Sequence, residues 1–239
     1  MIKTMRLFEN QTFEDFDDRD STAVFSDIEF RRCCFDGCAI SITHDPKRRS
    51  TVRNVQLLNC ISSGGVIDRA IIEDVLVENL KTPGLFQTFG TLFKHVVLRG
   101  KFDRLMISNN VLPRGDVNLP YQYENVKAFH AANAEYYANV DWALDISQGE
   151  FKDLDIRGIP GRLIRRDAET QVLVTRQRVL EAEWRDLPFK DSLTAFSLDF
   201  MLKQEMADLV LIAPKRHRKF PLYLADLQLL REVGVAEPD

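Results

Sequence analysis

The sequence has no long apolar segment and no large excess of either charge. Its first residues, MIKTMRLFENQTFEDF, contain no apolar core of signal-peptide length, and no uncharged apolar run of about 18 residues occurs anywhere. The 239 residues include 32 Lys and Arg and 36 Asp and Glu, which gives a formal net charge of −4. We therefore expect a cytoplasmic protein with no membrane segment and no nucleic-acid partner.

Motifs of the common enzyme classes are also missing. The chain has no glycine-rich nucleotide loop, no His-Glu-x-x-His helix, no serine nucleophile elbow and no hexapeptide repeat of left-handed β-helix acyltransferases. The four histidines are widely separated: His44, His95, His130 and His217. An acid–base pair among them stays an alternative. We expect no cofactor and a non-enzymatic role.

Cysteine is scarce. The chain contains Cys33, Cys34, Cys38 and Cys60, which are too few for a disulfide framework at this length. A metal site built from the first three, with His44 or Cys60, is one interpretation, but the spacing lacks the paired Cys-x-x-Cys knuckles of zinc sites. Three of the cysteines share a sequence phase with aliphatic residues, so we interpret them as small core residues and expect no metal.

What the sequence does contain is a repeat with a period of five, in the stretch FSDIEFRRCCFDGCAISI at residues 25–42. One phase of the repeat carries Phe25, Phe30 and Phe35, and a second carries Ile28, Cys33 and Cys38. Neither the alternation of a strand nor the 3.6-residue period of a helix produces this pattern, so it indicates internal repetition.

The same spacing continues further along the chain. Val55, Val75 and Val96 are separated by 20 and 21 residues. If short strands of about five residues make a turn of four, residues about twenty apart lie above one another and bury an axial core. The Asp and Asn residues of the unit suit the turns, because their side chains bond to nearby backbone. The pattern therefore predicts a coil of stacked short strands.

The segment FSDIEFRRCCFDGCAI resembles a run from the pentapeptide-repeat family, whose units have a central Leu or Phe, a small residue two positions earlier and often Asp or Asn just before the centre. The resemblance is clear over residues 25–42 and looser over 52–85. It implies a mainly β, right-handed parallel β-helix, or solenoid, over residues 1–158. Further copies are expected at 123–128, 137–142 and 151–156. An irregular right-handed parallel β-helix is the alternative.

Two polar stretches interrupt the repeat, at residues 44–50 and at 111–121. We expect both to be loops that leave the side of the coil, and such loops commonly carry specificity. Their basic residues are candidate contacts for a partner: Lys47, Arg48, Arg49 and Arg114.

The repeat stops at Gly158-Ile159-Pro160-Gly161, and helical periodicity replaces it over residues 162–239. We expect three helices there. The first carries Leu173, Leu180, Trp184 and Leu187; the second follows Asp191 or Ser192 and carries Leu198, Leu202, Met206 and Leu209; the third starts near Pro221, carries Leu222, Ala225 and Leu229, and ends before Gly234. This region is predicted to cap or extend the solenoid, and its helices could mediate a homodimer.

One dense basic run lies between the last two predicted helices. It consists of Lys215, Arg216, His217, Arg218 and Lys219. It is a candidate site for phosphate, nucleic acid or an acidic protein surface, and the alternative is a solvated loop between helices. An acidic stretch over residues 14–20 could meet a basic partner.

The expected function is that of a non-enzymatic interaction protein. The family resemblance implies a bacterial or phage setting and, more sharply, an immunity or inhibitor protein that occludes a toxin or an enzyme. Two alternatives stay open. One is a DNA-mimic regulator of a DNA-binding enzyme, and the other is a β-helix enzyme acting on acidic polysaccharides through Asp68, Arg69, Glu73 and Asp74.

Overall fold

The computed structural model describes residues 5–109, 111, 121–189 and 192–237, and the fold is mainly β. Residues 5–109 form twelve strands: β1 (Arg6–Glu9), β2 (Thr12–Glu14), β3 (Asp17–Arg19), β4 (Val24–Arg31), β5 (Cys34–Asp36), β6 (Ala39–Ile42), β7 (Thr51–Leu58), β8 (Ile61–Ser63), β9 (Val66–Asp68), β10 (Ile71–Glu78), β11 (Leu85–Phe89) and β12 (Leu92–Ser108). A 3₁₀ turn at Pro46–Arg48 lies between β6 and β7.

The rest of the described chain mixes helices and strands: α1 (Tyr121–Ala138), β13 (Leu144–Asp145), β14 (Gly149–Ile156), β15 (Ile164–Arg165), β16 (Gln171–Thr175), α2 (Arg176–Glu181), α3 (Thr194–Lys203), β17 (Asp208–Ile212) and α4 (Phe220–Glu232). Two further 3₁₀ turns lie at Gly161–Leu163 and Trp184–Asp186. No helix in the described ranges is both long enough and apolar enough to cross a membrane.

The strands before α1 stack in parallel. Strands β1, β4, β7, β10 and β12 pair in that order, and β3, β6, β9, β11 and β12 form a second series. The 17-residue strand β12 belongs to both series and joins them into one curled sheet, while β2, β5 and β8 form a smaller parallel sheet. Val55 pairs with Val75, and Val75 with Val96, as the spacing in the sequence predicts. We refer to these parallel strands, with β13, β14 and β15, as the stack.

Left-handed residues within and between the strands explain why Asp and Asn recur in the repeat. One column lies inside β4, β7, β10 and β12 and consists of Asp27, Asn54, Asp74 and His95, whose φ angles are between 51° and 60°. Asx residues adopt this conformation more readily than most side chains and bond along the column. The Asn54 amide donates to the Asp27 carboxylate at 2.7 Å. These polar positions of the repeat are therefore positions of left-handed backbone.

Apolar side chains fill the interior of the stack. Val55, Val75 and Val96 are at most 4% exposed, and Cys33 and Cys60 are each 1% exposed, which confirms that these two cysteines are core residues. Phenylalanines continue the core toward the N-terminal strands, with neighbouring ring centroids 5.1 to 5.7 Å apart: Phe8, Phe13, Phe30 and Phe35.

Not all residues of the founding repeat are equivalent. Ile28, Phe30 and Phe35 are partly buried and pack against the core cluster. Phe25 lies outside that cluster and packs edge to face on Phe16, with the ring centroids 5.8 Å apart. The prediction that Phe25, Phe30 and Phe35 share one core position is therefore confirmed for Phe30 and Phe35 but not for Phe25.

Helix α1 contradicts two of the expected repeat copies. Residues 123–128 lie inside the helix, and residues 137–142 include its last turn and the loop after it. Consequently the partner of Val96 is Leu144, which is 48 residues away rather than about twenty. The copy at 151–156 is a strand, β14, as expected. Its Phe151 pairs with Phe102, and their rings stack at 5.1 Å.

The C-terminal region is helical only in part. The first predicted helix is wrong, because Leu173 lies in β16 and only α2 and a 3₁₀ turn follow. The second helix ends at Lys203, so Leu209 falls in β17, which pairs antiparallel with β16. The third helix is confirmed as α4, and Gly234 follows it with a φ of 73°.

The C-terminal region has a second apolar cluster centred on Trp184, Leu198 and Leu230. Hydrogen bonds also join this region to residues next to the stack. The Gly161 amide donates to Asp208 at 3.1 Å, and the Gln171 side chain donates to the Ile146 carbonyl at 3.0 Å. The division of the chain near residue 160 into two domains stays a prediction.

Candidate functional site

Two interruptions of the repeat meet on one side of the stack. The turn Pro46–Arg48 begins after Asp45, whose carboxylate accepts a 2.8 Å hydrogen bond from the Lys47 amide. Helix α1, which begins at the last residue of the second polar stretch and extends the interruption of the repeat to Ala138, lies against this turn. We define the interruption surface by the exposed side chains Lys47 and Arg48 of the turn and Lys127 and His130 of the helix.

Arg49 holds the two interruptions together. It is only 5% exposed, and its guanidinium donates to the carbonyls of Arg69 at 3.0 Å and Gly90 at 2.8 Å. It also donates to the Asn133 side chain at 2.5 Å and lies 4.8 Å from the centroid of the Phe129 ring. Burial lowers the pKa of Arg49 to about 10. Its charge therefore lies in the interior, and it is not the exposed partner contact that the sequence led us to expect.

The position of Arg49 follows from the turns of the stack. Arg69 and Gly90 follow β9 and β11 with positive φ angles of 63° and 53°. Carbonyls at such turns need a donor when a helix covers them. Arg49 supplies one side chain for both carbonyls and for Asn133 on α1, so one residue links two passes of the stack to the helix.

The other expected contacts in the interruptions lie at the surface or outside the described residues. Arg48 is exposed, donates to the Asp20 carbonyl and lies 3.9 Å from the Asp20 carboxylate. Lys47 is exposed. Arg114 and the expected loop at 112–120 lie outside the described residues.

A cleft of about 350 Å³ opens between α1 and strands β10 and β12. Its lining consists of Glu73, Lys94, Ala132, Glu135, Tyr136, Asn139 and Val140. The Tyr136 hydroxyl donates to Glu73 Oε1 at 3.0 Å. Burial is the main cause that raises the pKa of Tyr136, and the negative charge of Glu73 raises it further. The phenol therefore stays protonated and remains a donor at neutral pH. The cleft thus offers charged groups held by a rigid sheet and a helix.

His95 lies beside the cleft and bridges two carboxylates. Its Nδ1 is 3.0 Å from Asp74 and its Nε2 is 2.7 Å from Asp141. A neutral imidazole donates from one of its nitrogens, and an imidazolium donates from both. The hydrogen bond to His95 holds the pKa of Asp141 below its ordinary value. The Trp142 ring packs on the imidazole, with the ring centroids 4.7 Å apart. The Arg165 guanidinium lies 4.0 Å from the centroid of the Trp142 ring.

The C-terminal basic run attaches its own segment to the stack. Lys215 forms a 2.8 Å ion pair with Asp167. Arg216 donates to the Phe102 carbonyl at 2.5 Å and lies 3.7 Å from Asp103.

The remaining residues of the run differ in exposure. His217 packs edge to face on Tyr223, with the ring centroids 5.3 Å apart, and accepts a hydrogen bond from the Lys219 amide. Arg218 is exposed. The structure therefore uses Lys215, Arg216 and His217 for internal contacts and leaves Arg218 at the surface.

The four residues considered for polysaccharide chemistry do not share one surface. Asp68 and Arg69 are 1% and 3% exposed and form a buried ion pair at 3.3 Å. Glu73 lines the cleft, and Asp74 bonds to His95. Among the described residues, no three His, Cys, Asp or Glu side chains are arranged to hold a metal, and all four cysteines are free thiols.

The sequence contains a helical signal for α1 that was not recognised from the repeat pattern. Residues 121–138, YQYENVKAFHAANAEYYA, contain no Gly or Pro and are rich in good helix formers. Phe129, Asn133, Tyr136 and Tyr137 follow the spacing of one helical face, and these are the residues that contact the stack.

The interruption surface and the adjoining cleft are therefore the candidate functional site. Both depend on α1 for their position, and both carry charged groups that a partner or ligand could reach. Compared with known proteins, the chain matches no family model and no curated protein.

Proposed function

We propose that this is a non-enzymatic interaction protein that binds a protein partner through the interruption surface. The observation that carries this proposal is the link made by Arg49 to Asn133, 84 residues away in sequence, which joins the turn and the helix into one surface. A surface that is ordered before binding loses little entropy on association. The basic side chains Lys47, Arg48 and Lys127 favour an acidic partner.

We also propose that the stack is a right-handed parallel β-helix of the pentapeptide-repeat kind. Pairing of residues 20 and 21 apart supports this, as does the column of left-handed residues. Crossover connections between parallel strands of one sheet are almost always right-handed. Such a scaffold is rigid because each pass pairs with its neighbours.

The sharper proposal is an immunity or inhibitor protein that occludes a toxin or an enzyme, in the cytoplasm of a bacterium. The resemblance of residues 25–42 to pentapeptide repeats supports it. The geometry beside the interruption surface supports binding over catalysis. His95 has a carboxylate on each nitrogen, and Tyr136 donates a hydrogen bond to Glu73, so both groups are engaged in internal contacts.

Affinity capture from the native host tests the proposal. The bait proteins are the wild type, the variant Lys47→Glu/Arg48→Glu, and a matched control, Lys81→Glu/Lys101→Glu, whose lysines are exposed elsewhere on the stack. We expect one protein to be recovered stoichiometrically by the wild type and the control, and its affinity for the Lys47→Glu/Arg48→Glu variant to fall at least tenfold. Equal binding by all three baits, or turnover of an acidic polysaccharide with no protein retained, would overturn the proposal.

A further inference from the structure

The cleft between α1 and the stack presents charges of both signs that have no internal partner. Neither the Lys94 ammonium nor the Glu135 carboxylate forms a hydrogen bond or ion pair with any residue in the described part of the chain. Lys94 projects from β12 and Glu135 from α1, so the two charges come from different walls. Fixed charges without a partner in a concave site are what a charged ligand needs.

A second carboxylate in the cleft is held in place by Tyr136. Glu73 and Lys94 are register partners on adjacent parallel strands, a position in which opposite charges commonly pair. Here one oxygen of Glu73 accepts the Tyr136 hydroxyl instead, and no ion pair joins Glu73 to Lys94 among the described residues. The other oxygen of Glu73 is left for a ligand. Arg53, the register partner of Glu73 on β7, is exposed and does not line the cleft.

We propose that this cleft binds a small zwitterion, a free amino acid. The ligand's ammonium lies between the carboxylates of Glu73 and Glu135, and its carboxylate lies on the Lys94 ammonium. The Asn139 amide lines the same cleft and supplies a neutral donor and acceptor.

The rest of the lining selects the side chain of the ligand. The apolar part of the cleft consists of Ala132, Val140 and the ring of Tyr136, which suit an apolar side chain better than a charged one. The Trp142 ring is not a platform for a sugar, because it already packs against His95 and Arg165. The site therefore favours an amino acid with an apolar side chain over a carbohydrate.

This inference goes beyond the proposed function and does not depend on it. The ligand is a small molecule, and the residues that bind it are not those that define the interruption surface. The protein partner of that surface can be lost while the cleft keeps its ligand, and the reverse also holds.

Isothermal titration calorimetry on the full chain tests the site. The probes are glycine, alanine, valine, leucine, lysine and glutamate, together with ethylamine and propionate, which each keep one charge of alanine. We expect alanine or valine to bind with a dissociation constant below about 1 mM, and the two single-charge analogues to bind at least tenfold more weakly. A dipeptide amidated at its C-terminus and one acetylated at its N-terminus each keep one charge, so both are also expected to bind at least tenfold more weakly than alanine.

Two variants remove one charge each without removing an internal contact: Glu135→Gln and Lys94→Met. Each is expected to weaken binding at least tenfold, whereas Lys127→Met, an exposed change on α1 outside the cleft, leaves it unchanged. Thermal unfolding of each variant within 2 °C of the wild type shows that the fold is intact. The inference is overturned if no probe binds at 10 mM, if propionate or ethylamine binds as well as alanine, or if both charge variants bind like the wild type.

Discussion

The stack and helix α1 are held in place by different means. In the stack, each strand pairs with the next through a ladder of backbone hydrogen bonds, as between β7, β10 and β12. Helix α1 is attached by side chains: Asn133 accepts from Arg49, Tyr136 donates to Glu73, and Tyr137 accepts from the Phe93 amide at 3.3 Å. Order in the stack is therefore distributed over many residues, whereas the attachment of α1 is concentrated in a few. A core change should weaken the whole stack, and a change at Arg49 should release the helix.

The largest effect is expected from a change inside the stack. Phe30 packs against Phe8, Phe13 and Phe35, so replacing it with alanine leaves a cavity in the aromatic column. We expect Phe30→Ala to lower the free energy of unfolding by about 3 kcal/mol, at the lower end for a core aromatic because Phe30 is partly exposed. Urea unfolding measures this. Phe25→Ala is the matched control, since Phe25 lies outside the core cluster. Equal losses for the two variants would contradict the assignment of Phe30 to the interior.

The next effect is expected at the link between the stack and the helix. Arg49→Met removes the guanidinium that donates to the Arg69 and Gly90 carbonyls, and only a 3.5 Å contact with the Ser41 hydroxyl remains at the Arg69 carbonyl. We expect a loss of about 2 kcal/mol in the free energy of unfolding. Arg48→Met removes an exposed neighbour and is expected to cost less than about 0.5 kcal/mol. A loss at Arg48 as large as the loss at Arg49 would show that burial of Arg49 does not matter.

A smaller effect is expected at the hydrogen bond between Tyr136 and Glu73, which lies in the cleft. Tyr136→Phe keeps the ring but removes the hydroxyl that donates to Glu73, and we expect a loss of about 1 kcal/mol. A double-mutant cycle with Glu73→Met isolates this contact, because each single change removes the same hydrogen bond. Unfolding free energies that simply add in the double variant would be inconsistent with a direct bond between the two side chains.

The smallest expected effect concerns pH and the attachment of the C-terminal segment. Burial alone would raise the pKa of Asp103 and Asp167, but hydrogen bonds from Lys152 and Lys215, respectively, hold both pKa values below the ordinary range. Each carboxylate therefore contributes stability above its unfolded pKa of about 3.9, and this contribution is lost as pH falls through the lower folded value.

Unfolding followed between pH 6 and pH 2.5 measures this loss. The variant Asp103→Asn/Asp167→Asn should be less stable than the wild type at pH 6 and should lose less stability on acidification. Asp199→Asn, which alters an exposed ion pair with Arg185, is the control and should follow the wild-type curve. Parallel curves for the wild type and the Asp103→Asn/Asp167→Asn variant would mean that neither carboxylate stabilises the fold.

The parts of the fold that could be predicted are those whose pattern repeats. Val55, Val75 and Val96 pair as their spacing indicates, and Cys33 and Cys60 are buried as their phase indicates. In a stack, the residue about twenty positions away is a spatial neighbour, so sequence spacing carries the tertiary contact. This holds as long as each pass has the same length.

The parts that could not be predicted depend on contacts between distant elements. Residues 123–128 matched the repeat loosely, but they form a helix whose anchoring side chains meet residues of the turn and of β10 and β12. Leu173 fits a helical face in the sequence, yet it lies in a strand because β17 pairs with it. In the sequence, Arg49 has the pattern of a surface charge, but in the structure α1 covers it. Short apolar runs and single charges do not specify their partners.

Hydrogen exchange measured by mass spectrometry tests the central claim most directly, namely that α1 is fastened to a rigid stack chiefly through Arg49. Peptides from residues 71–78 and 125–138 are compared in the wild type, Arg49→Met and Arg48→Met. We expect Arg49→Met to speed exchange in 125–138 at least tenfold while 71–78 stays protected, and Arg48→Met to match the wild type. Unchanged protection of 125–138 in Arg49→Met, or equal loss in both peptides, would contradict the claim.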